Sequence, residues 1–102
     1  MQQIKLVSSN KKLVFALYGE IDSATSEDFY NEVKAVYLLK KMDIEFDCTN
    51  LTFIDSTMLG TFVKLFKELK ADGFKMSLTS VQPRIRKLFE ICALDTLMEI
   101  GR

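Results

Sequence analysis

"LTFIDSTMLGTF", residues 51–62, changes character halfway along. Its first half is apolar and β-prone. After Asp55-Ser56-Thr57 the apolar positions fall into helical spacing, with neither a proline nor a loop between the two halves. A strand that passes directly into a helix is the building unit of an α/β domain. Ser56 stands at the corner. Three roles suit a serine there: a helix cap, a nucleophile, or a residue that another protein modifies.

Downstream of the corner, Leu59, Phe62, Val63, Phe66 and Leu69 form one apolar stripe, with Lys64, Lys67, Glu68 and Lys70 mostly on the other side. Met58 falls off that stripe and is expected to be exposed. Gly73 is placed to stop the helix. "FKMSLTS" (74–80) reads as a strand, and Pro83 opens a third helix with Ile85, Leu88, Phe89 and Cys92 on its inner side. "DTLMEI" (95–100) closes the chain as a short strand or helix.

Upstream, "DIEFDCTN" (43–50) is a short strand, and "SATSEDFYNEVKAVYLLK" (23–40) is a helix with Phe29, Val33, Val36 and Tyr37 facing inward. Thr25 with Asp28 has the spacing of a capping box. "QIKLVSS" (3–9) and "KLVFALYG" (12–19) form an antiparallel pair around Ser9-Asn10-Lys11, and Gly19 lets the chain turn as it leaves the second strand. The order β-β-α-β-α-β-α, with a tail, calls for right-handed parallel crossovers. The expectation is a single small α/β domain over residues 1–102, with a mixed sheet of four or five strands and three to four helices.

Composition narrows the function. The chain has 102 residues, 48 % hydrophobic and 27 % charged, as an ordinary globular domain does. Fourteen basic and fourteen acidic residues cancel, so no basic excess points to nucleic acid. The opening "MQQIKLVSSNKK" lacks the apolar run of a signal peptide, and the longest apolar run, Leu13–Tyr18, is too short to cross a bilayer. A cytoplasmic protein with no membrane partner is the expectation. There is no His, which removes most Cys/His metal sites and the familiar serine triad. No Gly-x-Ser-x-Gly, P-loop or dinucleotide fingerprint is present either. Neither a metal nor a cofactor is expected, and the chain does not read as an enzyme. Cys48 and Cys92 are expected as buried, reduced core residues.

Carboxylates form a different constellation. Asp22, Asp47 and Asp55 each lie near the end of an expected strand, and ligand sites of open α/β sheets gather beyond the carboxyl ends of the strands. The three acids are expected to converge near Ser56, with helix capping as the alternative role for Asp22 and Asp55.

These residues resemble the STAS domain, and within it the bacterial anti-sigma factor antagonists. The likeness covers nearly the whole chain: "GEID" at Gly19–Asp22, "FIDST" at Phe53–Thr57 followed by Leu59-Gly60, Gly73 before a strand, and "PRIRKLFEI" at Pro83–Ile91. The resemblance implies binding to an anti-sigma factor that is also a serine kinase, release of a sigma factor, and phosphorylation on the serine after the motif Asp, here Ser56. It also implies a phosphatase that resets phosphorylated Ser56. A STAS scaffold subunit of another regulatory or transport complex, never phosphorylated, is the alternative. Two positions depart from the family pattern: Met58 stands where Gly is usual after "DST", and Ala93 stands where Gly commonly precedes the Leu after the third helix.

A docking face around Ser56 would draw on Asp22, Ser23, Thr25, Asp55, Thr57, Met58 and Thr61. Ser23 and Thr25 are equally suited to capping the first helix. A phosphate at a helix N-terminus is tolerated by the fold, whereas an interface closed over it must desolvate an unpaired charge. Arg84, Arg86 and Lys87 read as a solvated helix face.

Overall fold

A computed structural model of the chain describes residues 3–8 and 11–101. Its strands are β1 (Ile4–Ser8), β2 (Lys12–Ile21), β3 (Asp43–Ile54), β4 (Met76–Thr79) and β5 (Glu99–Ile100). Helices α1 (Ser26–Leu39), α2 (Ser56–Ala71) and α3 (Pro83–Ile91) connect successive parallel strands. A 3-10 turn over Leu94–Thr96 precedes β5, so the closing segment supplies both a helical turn and a strand. The strands lie side by side in chain order, with β1 antiparallel to β2 and the other pairs parallel. Ile4 sits opposite Leu17 and Val7 opposite Val14. Ser9 and Asn10 of the expected turn lie outside the described residues.

Parallel crossovers of one hand that all step in the same direction leave their helices on the same face. The aromatic core shows this. Phe46 of β3 lies 5.5 Å from Phe29 of α1 and 5.4 Å from Phe62 of α2, centroid to centroid, and Phe62 lies 5.8 Å from Phe89 of α3. Such tilted and edge-on ring pairs add to the burial of their area. The opposite face of the sheet carries no helix among the described residues and is mixed: Glu45, Ser77 and Thr79 are polar there, whereas Val14, Tyr18 and Phe53 are apolar. Lys12 and Glu45 pair there at 2.5 Å.

Helix α2 is rotated relative to the expected stripe. Its fully buried residues are Met58, Phe62, Leu65 and Leu69, while Val63 and Phe66 are half-buried. Spacings of four, three and four keep these positions within a narrow sector of the helix. Met58 is therefore central to the inner face, 0 % exposed, and the expected surface position is overturned. The pattern is present in the sequence once Leu65 is counted.

Strand β3 runs unbroken to Ile54, so the expected strand over 43–50 and the β-prone residues 51–54 are one element. Gly19 lies inside β2, not at its exit, and its φ of 65° accompanies a register shift between Gly19 and Glu20 in the β2–β3 pair. Positive φ at a bulge is where glycine is required. Because β3 continues, Asp47 is not at its end. Its Oδ1 instead accepts from the Thr49 amide at 3.0 Å and the Thr49 hydroxyl at 2.6 Å. Gly73 (φ 85°) closes α2 in a Schellman-type turn, with the Phe74 amide donating to the Leu69 carbonyl at 2.8 Å.

Two polar clamps join α1 to α2. The Tyr30 hydroxyl donates to the Glu68 carboxylate, which also pairs with Lys34 at 2.8 Å, and Lys64 lies over the Tyr30 ring at 4.3 Å. Further along, the Tyr37 hydroxyl donates to Asp72 at 2.8 Å, and Lys41 approaches the same carboxylate at 3.3 Å. Burial and then the Glu68 hydrogen bond push the Tyr30 phenol up to about 12.

Helix α3 ends at Ile91, which places Cys92 at its C-cap, exposed, in contrast to the buried position expected. Cys48 is buried, and burial together with nearby Asp47 pushes its thiol up to about 12. Among the basic residues of α3, Arg86 donates to the Ile100 carbonyl at 2.8 Å and so ties the helix to β5. Ala93 holds a left-handed conformation (φ 57°) with its side chain exposed. A Cβ is disfavoured there. Ala93→Gly should raise stability by about 1 kcal/mol in urea unfolding at unchanged m-value. An aromatic disulfide reagent at neutral pH should label one thiol quickly and the second only on unfolding. Cys92→Ser should abolish the fast phase.

Candidate functional site

Strands β2 and β3 deliver two loops to the same place. Ile21 is the register partner of Ile54, so Asp22 and Asp55 leave the sheet side by side. Asp55 is the N-cap of α2: its Oδ1 accepts the Met58 amide at 3.0 Å. Its Oδ2 accepts the Ser23 amide from the neighbouring loop at 2.8 Å. One carboxylate thus both starts the helix and bridges the two loops. These amides, Met58 first, hold the Asp55 carboxyl below the ordinary carboxylate range.

Asp22 organises its own loop. Its Oδ1 accepts the Ala24 amide at 3.0 Å, its carbonyl accepts the Thr25 and Ser26 amides, and its amide donates to the Thr25 hydroxyl at 3.1 Å. Thr25 occupies the N-cap of α1, yet its hydroxyl turns back to Asp22 and makes no capping bond, so the expected capping box is not formed.

Ser56 is the first residue of α2 and is exposed, as is Thr57. Its hydroxyl makes no hydrogen bond among the described residues. The first-turn amides of a helix lack intrahelical partners, and here the Asp55 side chain takes only that of Met58. The Thr61 hydroxyl donates to the Thr57 carbonyl at 3.2 Å one turn on, and Thr61 is half-buried.

Of the nine residues expected around this corner, Asp22, Ser23, Thr25, Asp55, Ser56, Thr57 and Thr61 are gathered at the two loops and the first two turns of α2. Met58 is removed to the core, and Asp47 stays within the sheet. The Ser23 amide is the partner that sequence reasoning missed, because it joins positions 32 apart and carries no side-chain signature. Among the described residues no group of three metal-ligating side chains occurs, and no helix is long and apolar enough to cross a membrane.

The arrangement has known counterparts. Residues 3–102 match the family model of the STAS domain. The anti-sigma-B factor antagonist of Listeria monocytogenes is 32 % identical over 82 residues, covering 80 % of this chain and 72 % of that protein. The anti-sigma-B factor antagonist of Staphylococcus aureus is 29 % identical over 98 residues, covering 96 % and 91 %. Among solved structures, the Bacillus cell fate determinant SpoIIAA in its phosphorylated form superposes with a TM-score of 0.75 at 23 % identity, over 97 % of this chain and 91 % of that one. The fold and the sequence agree: the chain belongs to the STAS domain family, among relatives that are anti-sigma factor antagonists.

Proposed function

We propose that this chain is an anti-sigma factor antagonist that binds an anti-sigma factor serine kinase, frees a sigma factor, and is switched off by phosphorylation of Ser56. The observation that carries the reading is the exposed, unbonded Ser56 hydroxyl at the first turn of α2, beside the Asp55 cap. Two relatives that are anti-sigma-B factor antagonists support it. Ser56 receives a phosphoryl group and performs no chemistry of its own. The phosphatase that resets it acts on the same exposed site. Cofactor and metal have no part in this scheme.

The physics of the switch follows from position. A phosphoserine carries about −1.5 to −2 charges at pH 7 and lies at the positive end of α2. The core beneath, including Met58, does not meet the added group. A partner seated over Ser56 must desolvate that charge next to the Asp22 and Asp55 carboxylates, at a cost of several kcal/mol. Asp22, Ser23, Thr25, Thr57 and Thr61 frame the contact. Met58 contributes only by anchoring the turn from below.

Incubation with the serine-kinase anti-sigma factor of the same genome and ATP should add one phosphate, mapped to Ser56, and Ser56→Ala should take up none. Phosphorylation should weaken binding to that kinase by about 100-fold or more, equivalent to about 2.7 kcal/mol, and shift the melting temperature by less than about 5 °C. Failure of an active kinase to modify the chain favours the scaffold role. The Asp55 carboxyl is depressed in the folded state, so its stabilising contribution is present above the unfolded value and lost as pH falls through the folded one. Asp55→Ala should therefore lower the melting temperature at neutral pH and flatten its decline below about pH 4.

A further inference from the structure

We propose that the docking surface over Ser56 continues onto the helix-free side of the β2–β3 ribbon, where Tyr18, Glu20 and Phe53 receive an apolar segment bearing a basic side chain from the same partner protein. The inference rests on the reading of Ser56 as the centre of a partner interface.

Beyond Tyr18 the sheet narrows to two strands. Pairing of β4 with β3 stops at Asp47 opposite Thr79, and that of β1 with β2 reaches no further than the Gln3 carbonyl on the Tyr18 amide. Tyr18–Ile21 and Asn50–Ile54 continue alone as a ribbon whose tip is formed by Asp22-Ser23 and Asp55-Ser56. One side of the ribbon, with Ile21, Leu51 and Ile54, is sealed under the helices at 0–2 % exposure. Strand alternation sends Glu20 and its register partner Phe53 to the other side, with Tyr18 two residues earlier.

Phe53 is 44 % and Tyr18 37 % exposed, while every other phenylalanine of β2 and β3 is buried. Phe53 lies three residues before Ser56, about 10 Å along the strand, well within the footprint of one protein interface. Aromatic anchors of this kind dominate interface energetics. Charge identifies the visitor. Glu20, Asp22 and Asp55 border the patch, and among the described residues no lysine or arginine pairs with any of them. The outer edge of β2 beside them is a shallow cleft of about 490 Å³ lined by Tyr18, Glu20, Asp22 and Thr25. A cation there lies among the Glu20 and Asp22 carboxylates and the Tyr18 side chain.

Binding of wild type, Phe53→Ala, Tyr18→Ala and Glu20→Lys to the serine-kinase anti-sigma factor of the same genome, measured by calorimetry at two salt concentrations, tests the proposal. Leu39→Ser serves as control: Leu39 is 87 % exposed at the far end of α1. Each ribbon variant should bind about tenfold or more weakly with an unchanged melting curve. Glu20→Lys should also lose part of the salt dependence, and Leu39→Ser should match wild type. Ribbon variants that bind like wild type, while phosphorylation of Ser56 still abolishes binding, overturn this inference and leave the Ser56 switch standing. No binding by wild type, or binding indifferent to phosphorylation, overturns both. Self-association of the free chain that Phe53→Ala abolishes would assign the patch to a second copy instead and overturn the proposal.

Discussion

The Asp55 carboxylate holds the corner together. It satisfies one orphan amide of α2 and one amide of the Asp22 loop, so a single side chain decides where β3 stops, where α2 starts, and how closely the two loops approach. Without it, Ser56 would sit on a frayed helix end beside an untethered loop. The cap is strong for electrostatic reasons as well as geometric ones: an ionised acceptor faces backbone donors at the positive end of a helix dipole. The neighbouring serine inherits that order. Its backbone is fixed while its hydroxyl stays in solvent, a combination suited to a group that an enzyme must grip and a partner must read.

The sheet gives the corner its reach. All helices pack on one face, so the β2–β3 pair can run past its neighbours and still bury Ile21, Leu51 and Ile54 beneath α1 and α2. Gly19 absorbs the mismatch that this extension introduces. The result is a two-stranded projection with a sealed side, a bare side and a tip that carries Ser56. STAS relatives share the fold.

Much of this was legible in the sequence. Element order, the mixed sheet and the corner at Asp55-Ser56 follow from periodicity and caps, because apolar spacing and helix-start chemistry are local signals. The side of α2 that faces inward was misjudged by omitting Leu65 from the stripe, and Met58 was placed outside as a consequence. The 43–50 strand and the β-prone residues 51–54 were not joined into one element, because the register with β2 that carries the strand onward is a tertiary fact. Cys92 looked internal by helical spacing, but the helix stops one residue short of it. The departure at Ala93 was marked by the family pattern, and its left-handed φ of 57° shows what a glycine would supply there. The bridge from Asp55 to the Ser23 amide had no local trace, since a backbone donor advertises nothing in the side chains around it.

The tyrosine–carboxylate clamps between α1 and α2 carry a consequence for how any signal at the corner travels. Tyr30 with Glu68 and Tyr37 with Asp72 rivet the two helices at successive levels, over the same Phe29–Phe62 contact that fills the interior. Both clamps oppose sliding of α1 against α2. On the proposed switch, the message would stay at the surface, as a change in what the corner repels.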